Sequence, residues 1–131
     1  MNMRLHPELE ELNSIAEKVI GCAYAVSNAL GCGFVEKVYE NAMAHELHKA
    51  GMNVQQQHSI AVYYDGVAVG EFVADLLVEE TVIVELKAVK EFDDIHMAQC
   101  MNYSKATGLP MCLLINFGKP RVEVKRIINH G

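Results

Sequence analysis

Apolar residues recur at three- and four-residue steps early in the chain. Leu9, Leu12, Ala16, Val19, Ala23, Val26 and Leu30 fall on one stripe, which predicts a long amphipathic helix. Pro7 at the first helical position and Glu8 behind it open that helix, and Gly31-Cys32-Gly33 ends it. A second helix is predicted from Val35 to Ala50, with Gly51 as its natural stop. So short a link places the two helices side by side.

The period then changes from helical to alternating. Val54 to Tyr64 is rich in β-branched and aromatic residues, Asp65-Gly66 is a strong hairpin signal, and Val67 to Val78 is the return strand. Thr81 to Lys87 reads as a third strand after Glu79-Glu80. Asp93 or Asp94 caps a helix that runs to Thr107, where Gly108 and Pro110 stop it. Met111 to Asn116 is a short apolar strand, Gly118-Lys119-Pro120 turns the chain, and Val122 to Ile128 alternates as an edge-like strand. The helix between strands Thr81–Lys87 and Met111–Asn116 is a crossover, which makes those two strands parallel neighbours. The expected fold class is therefore α/β (α+β), a mixed sheet flanked by helices in the order α-α-β-β-β-α-β-β.

Composition narrows this picture. A length of 131 residues, without repeat, linker or low-complexity segment, suits one domain over residues 1–131. The net charge of −6 gives no bulk attraction to a polyanion, so contact with nucleic acid requires a local basic patch, a neutralising metal or a partner. Cys22, Cys32, Cys100 and Cys112 are widely spread with no Cys-x-x-Cys pair, and read as reduced, mostly buried residues. No apolar run opens the chain and none approaches the length of a membrane span. The expectation is a cytoplasmic protein with no membrane partner.

The third strand carries charges that a purely structural strand does not need. Val82, Val84 and Leu86 form one face, while Ile83, Glu85 and Lys87 form the other. An exposed edge strand would accommodate them, but the crossover and the preceding hairpin give this strand a neighbour on each side. Charges in a central strand are costly unless paired or bound to metal. Asp75 lies inside the mostly apolar strand before it. A two-residue turn at Glu79-Glu80 would oppose Asp75 to Val84 and send Glu85 to the other face. A three-residue loop from Glu79 to Thr81 would oppose Asp75 to Glu85 and Val73 to Lys87. No glycine favours the second register, which is adopted as a hypothesis because it gathers the charges. Two hard carboxylates on rigid strands would then suit Mg²⁺ or Mn²⁺, able to polarise a phosphodiester and lower the pKa of a bound water. Lys87 would orient that water or meet charge developing on phosphate oxygens.

The helices add candidates. Glu36, Tyr39 and Met43 share a face of the second helix, with Glu40 nearby, and Gln99 and Tyr103 are one turn apart on the third. Tyr39 and Tyr103 are either half-buried core aromatics or, with Gln99, substrate-binding side chains. Lys119, Arg121, Lys125 and Arg126 form a local basic patch near the last turn, suited to phosphates or to a solvated strand edge. His96, one turn before Gln99, either lines the same site or belongs to a solvated helix start.

Asp75 followed by Glu85-Leu86-Lys87 resembles the split signature of the PD-(D/E)XK nuclease superfamily. Gly33-Phe-Val-Glu36-Lys-Val-Tyr39 is similar to the motif of the small GxxExxY proteins placed in that superfamily, and Gln99-Cys-Met-Asn-Tyr103 resembles the Gln-x-x-x-Tyr element of its exonuclease-like branch. The similarity runs from Val19-Ile-Gly21 to Leu114-Ile-Asn-Phe-Gly118, with Ala74 where the superfamily often has proline. The resemblance implies a restriction-endonuclease-like core. It implies Asp75 and Glu85 as metal ligands, Glu36 as an additional helical acid near the metal, and Lys87 as the catalytic lysine. Gln99 and Tyr103 would act on the substrate side. The activity implied is hydrolysis of phosphodiester bonds in nucleic acid, DNA ahead of RNA, through a metal-activated water. The small size and acidic balance point to a homodimer or a protein partner adding grip. The alternative is a non-catalytic nucleic-acid-binding or protein-interaction accessory module that keeps the fold.

Two other patterns carry less. Gly31-Cys32-Gly33 lies between helices and lacks a Gly-Lys-Ser/Thr ending, so it reads as a turn rather than a phosphate loop. His45-Glu-Leu-His48 is one residue short of His-Glu-x-x-His, and reads as a helix surface rather than a zinc site.

Overall fold

The computed structural model describes residues 9–129. The elements are α1 (Leu9–Leu30), α2 (Glu36–Lys49), β1 (Val54–Tyr64), β2 (Val67–Val78), β3 (Val82–Lys87), α3 (Asp94–Thr107), β4 (Met111–Asn116) and β5 (Glu123–Ile128). This is the expected α-α-β-β-β-α-β-β order. The helix start assigned to Pro7 and Glu8 lies outside the described residues. Val35, Thr81 and Val122, expected inside elements, each stand one residue before one, Val35 as the N-cap of α2.

The five strands form one sheet in the order β1-β2-β3-β4-β5. The crossover through α3 makes β3 and β4 parallel, and the other three pairs are antiparallel. The sheet separates two layers. On one face Ala16, Val19 and Val26 of α1 and Tyr39, Met43 and Leu47 of α2 pack with Val82, Val84, Leu86, Leu113 and Ile115. On the other, Cys100 of α3 packs with Leu77, Ile83, Cys112 and Leu114, flanked by the half-buried Met97 and Tyr103. Each fully buried aliphatic side chain contributes about 1.5–3 kcal/mol over its exposed state. These two layers hold the sheet, and α3 is fixed at both ends. Asp93 and His96 form a reciprocal capping box at its start, and Gly108 closes it in the left-handed conformation at φ 71°.

The loop between β2 and β3 decides the register. The pairs Leu76↔Val84, Leu77↔Ile83 and Val78↔Val82 leave Glu79, Glu80 and Thr81 as a three-residue loop, the register that gathers the charges. Without a glycine, the chain places Glu79 (φ 52°) and Glu80 (φ 56°) in the left-handed region. Such residues cost about 1–2 kcal/mol each. The compensation is visible: Thr81 N–H donates to Val78 O at 3.1 Å, Glu79 N–H to Asn53 O at 2.8 Å, and Asn53 N–H to the Glu79 carboxylate at 2.7 Å.

Candidate functional site

The backbone ladder between β2 and β3 stops at Leu76↔Val84, one residue short of Asp75 and Glu85. Beyond that point side chains replace backbone. The Asp75 carboxylate Oδ2 accepts from Leu86 N–H at 2.8 Å, and Asp75 N–H donates to Glu85 Oε2 at 3.3 Å. On its far side β3 remains paired with β4 down to Lys87↔Asn116, so Glu85 and Lys87 are held on a rigid strand while β2 turns away. Val73, Asp75, Glu85, Lys87 and Leu114 form the floor of the resulting cleft, of about 160 Å³. His96, Gln99, Cys100 and Tyr103 of α3 wall one side, and Glu36 at the start of α2 closes an end.

The parting of the strands has a local cause. Gln57 and Asp75 are the pair missing from the ladder that otherwise joins β1 and β2 from Val54↔Val78 to Val62↔Gly70. Gln57 has φ 50°, and the alternation of β2 slips there, since Leu77, Ala74 and Phe72 all belong to the α3 layer. Gln57 Nε2 donates to Glu40 Oε1 at 2.6 Å and lies 3.5 Å from Asp75 Oδ1. Glu40 is only 3% exposed and is saturated by donors, taking Gln56 Nε2 at 2.7 Å and Lys37 Nζ at 3.1 Å on its other oxygen.

The electrostatics follow from burial. Glu85 is 9% exposed, and its carboxyl is pushed up to about 9, first by loss of solvent and then by the neighbouring charge and hydrogen bond of Asp75. Tyr103 is raised too, by burial and then by Glu85. The side chains of Lys87, Glu36 and Gln99 make no hydrogen bond or ion pair with the described residues, so their polar ends are available to a ligand in the cleft. Two touching carboxyl groups of which one resists ionisation are the arrangement that a hard divalent cation relieves. Among the described residues no group of three or more His, Cys, Asp or Glu could hold a metal, so Asp75 and Glu85 would need water or phosphate oxygens to fill a coordination shell.

The structure thus brings Asp75, Glu85, Lys87, Glu36, Gln99 and Tyr103 to one cleft, and leaves three expected residues away from it. Tyr39 is wholly buried in the α1–α2 layer, its hydroxyl donating to Gly31 O at 2.6 Å and its ring stacked 4.5 Å from Phe117. A ring so enclosed has no surface to offer a substrate. Lys119 sits 3.6 Å from Glu123, and Arg121 lines a separate depression with Tyr24 and Asn28. Both lie on the turn between β4 and β5, which begins just past the Lys87↔Asn116 pair, and neither lines the cleft.

Two supporting residues, Gln57 and Asn116, escaped the sequence reading of the site, and a third, Glu40, was placed beside Glu36 without a role. Glu40 is one turn from Glu36, a spacing that could have paired them. Gln57 ends a run of three glutamines in a strand otherwise built of β-branched and aromatic residues. Asn116 closes the apolar strand β4 fully buried. Its amide donates to Val89 O at 2.8 Å and accepts from Val89 N–H at 3.0 Å and Gly118 N–H at 2.9 Å. That clamp, with Phe117 N–H on Lys87 O at 2.8 Å, fixes the chain just past Lys87. It brings Gly118 so close that a Cβ there would stand 2.3 Å from Val89 O.

The model of the PD-(D/E)XK nuclease superfamily matches residues 13–127. No curated protein matches the chain. Among solved structures, SSO0001 superposes with a TM-score of 0.55 at 16% identity, over 92% of this chain and 61% of its own. The alkaline exonuclease of Laribacter hongkongensis superposes with a TM-score of 0.52 at 14% identity, over 95% of this chain and 72% of its own. At such identities these two likenesses establish a shared fold. The chain spans less than two thirds of the length of SSO0001. No helix among the described residues is long and apolar enough to cross a membrane.

Proposed function

We propose that this chain, which belongs to the PD-(D/E)XK nuclease superfamily, hydrolyses phosphodiester bonds of nucleic acid with Mg²⁺ or Mn²⁺ held by Asp75 and Glu85. The observation that carries the reading is the convergence of two carboxyl groups and an unengaged ammonium where β2 parts from β3. A cation there supplies Lewis acidity toward the phosphate and an acidified water. Lys87, carried on the strand that β4 and the Asn116 clamp hold still, presents its ammonium to phosphate oxygens as they gain charge. Gln99 and Tyr103, facing the floor from α3, donate hydrogen bonds to the nucleotide backbone, and Glu36 adds a carboxylate at the end of the cleft. The Gly33–Glu36–Tyr39 spacing supports a place in the GxxExxY group within the superfamily. The Laribacter hongkongensis protein that shares this fold is an exonuclease by its name, which supports nucleic acid as the substrate class, with DNA taken ahead of RNA as the first substrate to test.

A second reading has one observation in its favour. Among the described residues Lys87 is the only lysine or arginine lining the cleft, while the chain carries a net charge of −6. A protein partner or second copy would then supply the grip on the polyanion, or the fold would serve as an accessory module without cleavage.

Calorimetric titration with Mn²⁺, wild type beside Asp75→Ala, tests the first reading. Binding that the substitution removes, followed by cleavage of single- or double-stranded DNA or RNA, supports it. Absence of binding both without substrate and with a non-cleavable oligonucleotide added overturns it and leaves the accessory reading.

A further inference from the structure

We infer that Gln57, locked in orientation by Glu40, is a positioning residue that sets the carboxylate of Asp75 for cation binding. The inference rests on the reading of Asp75 as a metal ligand. Its grounds are geometric. Gln57 holds φ 50°, a conformation that a glycine or asparagine adopts more readily than a glutamine, and the backbone of β1 gives up its pairing with Asp75 there. A glutamine kept in that conformation points to a task for its side chain. The task is visible in the amide. Its nitrogen bridges two carboxylates, Glu40 Oε1 at 2.6 Å and Asp75 Oδ1 at 3.5 Å.

Orientation follows from donor and acceptor chemistry. An ionised carboxylate only accepts, so Glu40 forces the Gln57 amide to present nitrogen rather than oxygen. The second N–H then faces Asp75 Oδ1, while Leu86 N–H holds Oδ2 at 2.8 Å. Both oxygens of Asp75 are thereby oriented before any cation arrives. Glu40 cannot turn aside, because Gln56 and Lys37 hold its other oxygen and the residue is 3% exposed. A line of contacts thus runs from α2 through β1 to the cleft floor, and outer partners of this kind change metal affinity by about 10–100-fold.

Gln57→Gly separates positioning from a structural role, because it removes the amide while relieving the backbone. The measurements are the Mn²⁺ dissociation constant by calorimetry, the melting temperature, and the chemical shift of the Asp75 side-chain carboxyl carbon in the metal-free protein. Positioning predicts Mn²⁺ binding weakened about tenfold, a melting temperature unchanged or raised, and a displaced Asp75 resonance. Glu40→Gln, which frees the amide to flip, weakens binding in the same direction and serves as the second variant if Gln57→Gly melts lower. Wild-type affinity and an unmoved Asp75 resonance in both variants overturn the inference while sparing the metal site. Should wild type itself bind no Mn²⁺, with or without a non-cleavable oligonucleotide, the metal reading falls, and the Asp75 resonance still decides whether Gln57 and Glu40 set that carboxylate.

Discussion

The strand β3 shows its two faces to very different surroundings. Val82, Val84 and Leu86 meet α1 and α2 in a layer that is apolar throughout and closed to solvent. Ile83, Glu85 and Lys87 meet the α3 side, where the apolar cluster is smaller and ends in the cleft. The contrast separates two tasks within six residues. One face supplies the burial that holds the sheet, and the other is spared that duty far enough to keep a carboxyl group in a site that raises its pKa and to leave an ammonium unpaired. The closed face is what makes the open face tolerable, since the cost of a buried acid must be met elsewhere.

Substitutions can break this contrast from either side. The largest effect is expected at the open face: Lys87→Ala lowers cleavage about 10²–10³-fold with the melting temperature nearly unchanged, measured by turnover of labelled DNA beside a thermal scan. An equal loss of stability would mean that Lys87 serves the fold. At the closed face Leu113→Ala, at a fully buried position, is expected to cost about 2–5 kcal/mol in denaturant unfolding. Mn²⁺ affinity of the folded protein should stay as in wild type, and its collapse would show that the two faces are not separable.

Acidity sharpens the comparison further. Below about 4.5 Glu85 is protonated in both folded and unfolded chains, whereas between about 4.5 and 9 the unfolded chain has lost the proton that the fold retains. The contribution of Glu85 to metal-free stability therefore falls as pH rises through that window and levels off above it, by about a few kcal/mol. Glu85→Gln removes this component, so the stability of wild type relative to the variant falls between pH 5 and pH 9 in urea titrations, and a difference of opposite sign contradicts the burial of this acid. The smallest effect belongs to Tyr39→Phe. Removing its hydroxyl leaves Gly31 O without that partner and costs about 1 kcal/mol, with cleavage retained. Loss of cleavage at full stability would return Tyr39 to the substrate side.

Much of the fold was readable because its elements obey simple periods. The stripe Leu9–Leu30, the Asp65-Gly66 hairpin and the crossover from β3 to β4 each followed from spacing alone. The register of Asp75 against Glu85 was one of two alternatives, because the loop contains no glycine to announce left-handed residues. It is realised by two left-handed glutamates, the first of them held by Asn53, which lies 26 residues away in sequence. Tyr39 shows the opposite difficulty, since a helical period places it on a face without telling which layer that face meets. The roles of Glu40, Gln57 and Asn116 were hidden for a common reason. Each works by saturating hydrogen bonds across elements distant in the chain, and no local pattern marks such a residue.

The amide of Leu86 has a further use. Its proton is held by a side-chain carboxylate where a neighbouring strand would ordinarily hold it. Solvent exchange at that single position therefore tracks the placement of Asp75, while the amides of Ile83 and Val84 track the opening of the sheet itself. Comparing the two rates gives a clock for the site that runs inside the core and needs neither substrate nor product.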